Sequence, residues 1–161
     1  MTVVAFVGLG SNQGDPLRQV STAIDELQAL SCSPVRVSPM YGSKAIGPGT
    51  QPDYVNAVVR LSTALPADDM LSALHDIEHV HRRVRDQRWA ARTLDLDLLV
   101  YGTAVIDQPG LQIPHPRLAE RPFVLYPLFD LAPDLHIPGL GSVQTLRRQC
   151  PGDGIWPLQN D

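Results

Sequence analysis

From residue 93 to residue 99 the chain alternates so regularly that one local geometry fits it. Leu94, Leu96 and Leu98 recur at every second position, with Asp95 and Asp97 between them. That period is an extended strand with leucines on one face; a helix would scatter them around its axis. Thr93 and Leu99 share the aspartate face. The two carboxylates project side by side from Cα atoms roughly 6.6 Å apart, near enough to converge on one or two divalent cations. Alone, such a pair is more often a half-solvated strand whose acids face water.

The residues before the strand weigh against the plainer reading. Arg82, Arg83, Arg85, Arg88 and Arg92 supply five of the thirteen basic residues within eleven positions. Guanidinium groups beside paired carboxylates suit a magnesium-bound polyphosphate, arginines on its oxygens and acids on the metal. The chain as a whole is acidic, net charge −4 and pI about 5.6, so its surface does not advertise nucleic acid or anionic membrane as partner. At 161 residues and 43% hydrophobic content it is expected to form a single domain, residues 1–161. Cys32 and Cys150, with no targeting or membrane segment in view, point to reduced thiols and a cytoplasmic location.

Residues 3–9 are an unbroken apolar run, expected as a central strand, and lead into a glycine-rich turn, Gly8-Leu9-Gly10-Ser11-Asn12-Gln13-Gly14-Asp15. Its spacing is not that of a dinucleotide loop. Asp15 as N-cap and Pro16 at the first position begin a helix burying Leu17, Val20, Ile24 and Leu27. A strand over 35–41 precedes a long Gly- and Pro-rich loop over 42–53, of the kind that carries function. The next strand, 54–65, puts Tyr54 and Asn56 on one face. That pair suits a stacked heterocycle and, equally, an ordinary cross-strand contact.

A second helix after Pro66 has Met70, Ala73, Leu74, Ile77, Val80 and Val84 as its buried stripe. Within it His75-Asp76-Ile77-Glu78-His79 imitates the H-x-x-E-H pattern of zinc peptidases, but no third-ligand motif stands out downstream. Short strands are expected near 104–107 and 111–113. They are followed by His115 between two prolines, a part-helical stretch from Arg121 and Phe123, a short helix over 142–149 and an irregular tail, 150–161. The order β-α-β-β-α-β predicts an α+β, ferredoxin-like split β-α-β fold: a mainly antiparallel sheet with helices packed on it.

Several of these stretches together resemble one family, the 6-hydroxymethyl-7,8-dihydropterin pyrophosphokinases of folate biosynthesis. They are Gly8 to Asn12, Gly47-Pro48 with Gln51 to Asn56, Ile77-Glu78, Arg83-Val84-Arg85, Arg88-Trp89, Arg92 to Leu99, and Pro114 to Arg117 with Arg121 and Phe123. The resemblance implies transfer of the β,γ-pyrophosphoryl group of ATP to the hydroxymethyl oxygen of a dihydropterin, with release of AMP. Asp95 and Asp97 would hold two Mg²⁺ ions; Arg83, Arg92, His115 and Arg121 would act on the phosphates; Glu78, Trp89, Leu98 and His115 would surround the nucleotide. Ser43, Ala45, Ile46, Tyr54, Asn56 and Phe123 would bind the pterin. ATP and dihydropterin would be its partners, with no nucleic acid or membrane, in a monomer or weak oligomer. Residues 82–91 would form a lid.

The chain departs from the family's usual pattern at Arg82, at Ala90-Ala91 and at Gly42-Ser43. Two rival readings remain at this level. A ferredoxin-like RNA-binding module would use the arginines, and a metal-dependent phosphodiesterase would use the aspartates without a pterin.

Overall fold

The computed structural model describes residues 1–45, 51–85 and 94–158, and of 83–85 the backbone alone. In chain order the elements are β1 (Val3–Ser11), α1 (Pro16–Gln28), β2 (Arg36–Val37), β3 (Tyr41–Ser43), β4 (Tyr54–Thr63), α2 (Ala67–Arg85) and β5 (Leu94–Tyr101). Then come β6 (Ile106–Gln108), β7 (Leu111–Ile113), a 3₁₀ turn at Leu118–Glu120, α3 (Pro122–Leu131), β8 (His136–Ile137), β9 (Gly141–Ser142), α4 (Val143–Gln149) and β10 (Ile155–Pro157). The main sheet runs β10-β3-β4-β1-β5, with β2 also on β4, and its pairings are antiparallel. This is the ferredoxin-like α+β arrangement.

Strand alternation divides the sheet into two chemically different faces. Ala5, Val7 and Leu9 of β1, Ala57, Val59 and Leu61 of β4, and Leu94, Leu96 and Leu98 of β5 are buried in one core with Val20, Ala23 and Leu27 of α1 and Met70 and Leu74 of α2. On the other face Phe6, Val58, Leu99 and Val100 join Leu118, Val124, Leu125 and Leu128 in a second core beneath α3 and α4. That second cover does not reach the ends of β1, β4 and β5 that carry Gly10, Asn56 and Asp95. There the sheet stays open, and the site lies there.

Several boundaries differ from the sequence expectation, each for a local reason. The glycine-rich segment is not a turn: Gly8 to Ser11 continue β1, paired with both neighbours to its end. The strand expected at 35–41 splits into β2 and β3 around Ser38, whose hydroxyl accepts from Val58 N–H, and Pro39, which has no N–H to donate. Leu17 is exposed in the first turn of α1, although Asp15 caps the helix as expected, accepting from Arg18 N–H at 3.2 Å. In α2 the buried stripe runs Met70, Leu74, Ile77, His81 rather than through Val80, which is 39% exposed. Spacing decided this over hydropathy. The first short strand of the later hairpin is shifted to Ile106–Gln108, and the tail is not irregular throughout, because Ile155–Pro157 adds to the sheet edge. Among the described residues no helix is long and apolar enough to cross a membrane.

His81, 8% exposed, is the polar tie between the two helices of the first core. Its Nδ1 lies 2.7 Å from Gln19 Oε1 and its Nε2 2.5 Å from Glu26 Oε1, both on α1. Replacing it by Ala leaves both partners facing a buried gap. His81→Ala is therefore expected to lower unfolding free energy by about 1–3 kcal/mol, read from urea denaturation at neutral pH. A loss below the error of that measurement would mean water replaces the ring at no cost.

Candidate active site

Two depressions meet on the open part of the sheet. The first, about 410 Å³, is lined by Gly8, Leu9 and Gly10 of β1, Ser43 and Lys44, Tyr54, Asn56 and Ala57 of β4, Asp95 and Asp97 of β5, and by Glu78, His115, Arg121, Phe123 and Val124. The second, about 710 Å³, runs between α2 and the β6–β7 hairpin, past Leu71, His75, Leu96, Leu98 and residues 107–112. Glu78, Asp97 and His115 line both. A ligand in each would meet the other across these three side chains.

The floor of the first pocket is made by what β1 lacks. Gly10 stands between its cross-strand partners Asn56 and Asp95, and Gly8 between Val58 and Asp97. A Cβ on Gly10 would sit 3.3 Å from Asn56 Oδ1 and 3.8 Å from the Tyr54 ring. With no side chain there, the Tyr54 and Asn56 wall looks across bare backbone at the aspartates. Burial, then the charge of Asp95, pushes the Tyr54 hydroxyl above its ordinary value and keeps it neutral.

The anionic side is closely furnished. Asp97 Oδ1 lies 3.9 Å from His115 Nε2, and its Oδ2 lies 3.7 Å from an Arg121 nitrogen. His115 is fixed by its own backbone, whose N–H donates to Leu99 O at 3.0 Å. Its Nδ1 accepts from Arg117 N–H at 3.2 Å, so in the neutral ring the proton sits on Nε2, toward Asp97. Burial lowers the His115 pKa most, Asp97 opposing and Arg121 and Arg117 assisting. Arg121 also stands 5.6 Å over the Phe123 ring, joining the charged side to the aromatic one.

Glu78 ties α2 to the outer edge of β5, its Oε2 accepting from Leu96 N–H at 2.8 Å between the two aspartates. Burial raises the Glu78 pKa most. The charges of Asp95 and Asp97 raise it further, against that hydrogen bond and His75. Glu78 thus feels the charge of both aspartates, a repulsion that a hard cation with oxygen ligands would relieve. Among the described residues no group of three or more His, Cys, Asp or Glu could by itself hold a metal. The donor set thus fits an ion that keeps waters and takes phosphate oxygens, the habit of Mg²⁺.

Of the residues expected from sequence, Ser43, Tyr54, Asn56, Glu78, Asp95, Asp97, Leu98, His115, Arg121 and Phe123 lie around the two depressions. Ala45 is half-buried beside them, with Lys44 in the lining instead. Ile46, Trp89 and Arg92 lie outside the described residues, as does the Arg83 side chain; of the expected lid, residues 82–85 are the last turn of α2. In the zinc-like motif His79 is exposed and Glu78 is turned to β5. The sequence places Asn12 in a turn and gives it no further role. It is buried, and its amide donates to Pro52 O at 3.2 Å, holding the loop before β4 to the end of β1.

Over residues 6–133 the molecule matches the family described as 7,8-dihydro-6-hydroxymethylpterin-pyrophosphokinase (HPPK), and the chain belongs to that family. It is 46% identical over 151 residues to the 2-amino-4-hydroxy-6-hydroxymethyldihydropteridine pyrophosphokinase of Pseudomonas aeruginosa, covering 93% of each chain. With the enzyme of the same name from Haemophilus influenzae it shares 42% over 148 residues, 91% of this chain and 92% of that one. A crystal structure of Plasmodium falciparum HPPK-DHPS superposes with a TM-score of 0.74 at 13% identity, over 92% of this chain and 45% of that longer one, a likeness of fold. The chain is thus a pyrophosphokinase of folate biosynthesis. Neither rival reading gains support, and the sheet aromatic an RNA module would expose, Phe6, is 3% exposed beneath α3.

The crowded carboxylates generate a prediction. A carboxyl whose folded pKa is raised adds stability below its unfolded value and loses it as pH climbs through the folded one. At neutral pH without divalent cations the Glu78 charge is therefore a liability. Gln keeps an acceptor for Leu96 N–H, so Glu78→Gln should raise the melting midpoint of the metal-free protein at pH 7 by about 2 °C. The gain should shrink as pH falls toward the ordinary glutamate value of about 4.3 and be gone below it. A lowered midpoint in the calorimeter at pH 7 would contradict it.

Proposed function

We propose that the first pocket binds the 6-hydroxymethyl-7,8-dihydropterin and the groove along the β6–β7 hairpin binds ATP. The pyrophosphoryl group then passes between them over Asp95 and Asp97. What supports this reading is the meeting of the two depressions at Glu78, Asp97 and His115, aromatic and amide groups on one side and acids with a histidine and an arginine on the other. Tyr54 and Phe123 present flat faces to the pterin, and the Asn56 amide hydrogen-bonds its polar edge. Leu71, Leu98 and Leu111 give the groove an apolar side for the base.

Asp95 and Asp97 would hold two Mg²⁺ ions with the triphosphate, which supply charge neutralisation at the phosphates and activation of the substrate oxygen. Arg121 and His115 donate to phosphate oxygens, directly opposing the charge that builds during transfer. Arg83 and Arg92 are assigned to the same task. Asp97 also holds Arg121 and His115 in place until substrate arrives, through the contacts at 3.7 and 3.9 Å. The β,γ-pyrophosphoryl group of ATP goes to the hydroxymethyl oxygen and AMP leaves.

Product analysis tests the whole reading. AMP should appear only when the dihydropterin is supplied; AMP or ADP formed steadily without it would identify a hydrolase instead. Asp97→Asn keeps the strand and weakens one metal ligand, so its turnover should fall by on the order of 100-fold with an unchanged circular dichroism spectrum. Near-normal magnesium-dependent turnover would remove the metal assignment.

A further inference from the structure

Strand β3 is three residues long, yet it carries Ser43 of the pocket wall. On one side it pairs with β4, Tyr41 opposite Asn56 and Ser43 opposite Tyr54. On the other it is closed by β10, with Ile155 opposite Ser43, Trp156 opposite Gly42 and Pro157 opposite Tyr41. Two further backbone bonds bracket this pairing: Lys44 N–H to Gly154 O at 3.0 Å and Leu158 N–H to Met40 O at 2.9 Å. A segment this short has little stability alone and takes its position from its neighbours.

Its two faces are held differently. On the pocket side the Tyr41 hydroxyl donates to Asp130 of α3 and Ser43 Oγ accepts from Asn56 Nδ2 at 2.8 Å. On the reverse side stands Gly42. A Cβ there would lie 2.4 Å from Trp156 Nε1 and 2.5 Å from Cε2, closer than real atoms come, so the indole lies against bare backbone. The glycine is not needed for its dihedrals, since Gly42 is not among the residues with positive φ. It is needed for space, and the occupant of that space is Trp156.

We infer that Trp156, seated on Gly42, is a positioning residue for pterin recognition: it sets the depth of β3 in the sheet and so the orientation of the Asn56 amide. Both hydrogen-bond partners of that amide's nitrogen, Ser43 Oγ and, at 3.5 Å, Tyr41 O, belong to β3. A shift of β3 therefore turns the amide that the pocket presents. The nucleotide groove has no residue of β3 or β10 in its lining and is untouched by the shift. The inference rests on the pterin reading of the first pocket.

The test is calorimetry on the full chain. 6-Hydroxymethyl-7,8-dihydropterin is titrated onto protein saturated with Mg²⁺ and a non-hydrolysable ATP analogue, and the analogue is titrated separately. Trp156→Ala should weaken dihydropterin binding about tenfold and leave the analogue within about twofold, while Trp156→Phe stays near wild type. Gly42→Ala, which drives a methyl into the indole, should weaken the pterin similarly. In the double variant Gly42→Ala with Trp156→Ala the two losses should not add, because removing the indole makes room for the methyl. Should Trp156→Ala fail to fold, Gly42→Ala carries the same readout. A lower melting midpoint with both affinities unchanged, or losses that add, would overturn the inference. Wild-type protein that binds no dihydropterin would instead overturn the subsite reading, which keeps the two failures apart.

Discussion

The site depends on β1 being a strand with two unlike faces. Ala5, Val7 and Leu9 anchor it in the core under α1 and α2, while Gly8 and Gly10 leave the opposite face bare where the second core stops. Because β1 is hydrogen-bonded along its length to β4 and β5, the loss of side chains does not loosen it. What results is a rigid floor about two strand spacings wide, roughly 10 Å, with the aromatic and amide wall on one rim and the carboxylates on the other. Glycine in a strand interior ordinarily costs stability; here the vacated space is the floor of the first depression.

One rim of that floor is strongly charged. Asp95 and Asp97 lie on the edge strand, half-buried to exposed, so their repulsion is partly screened by water. Glu78 is different. It is partly buried and holds an edge N–H that the sheet itself cannot satisfy, and burial together with its acidic neighbours disfavours its charge. The free protein thus stores an unfavourable arrangement at the point where metal-bound phosphates would relieve it. Arg121, near Asp97 and over Phe123, links the charged and the aromatic sides of the first pocket.

Most of this was legible where one local rule decides. The alternation in β5, the Asp15 cap and the split β-α-β order needed only periodicity and end signals, and they placed Asp95, Asp97, Tyr54 and Asn56 on the faces where they are found. Legibility failed where partners distant in sequence decide. Nothing near Gly8 and Gly10 says that two long strands will flank them and continue the strand through a glycine-rich stretch. Val80 looks more apolar than His81, yet the helix turns His81 inward because Gln19 and Glu26 wait there. The tail reads as irregular from its Gly and Pro residues, and pairing with β3 makes Ile155–Pro157 a strand.

Helix α2 shows how these separate ties combine. Glu78 and His81 are one turn apart and project in different directions, one to the edge of β5 and the other to α1. Apolar packing by Met70, Leu74 and Ile77 sets the helix on the sheet but leaves it free to slide along its axis by small amounts, since such contacts are weakly directional. The two polar ties remove that freedom, because a hydrogen bond degrades steeply with distance and angle. They act on the last two turns before the arginine-rich stretch. The register of α2 against Asp95 and Asp97 is therefore fixed by hydrogen bonds at its C-terminal end, where a shift of α2 would move Glu78 away from the Leu96 N–H that lies between the two aspartates.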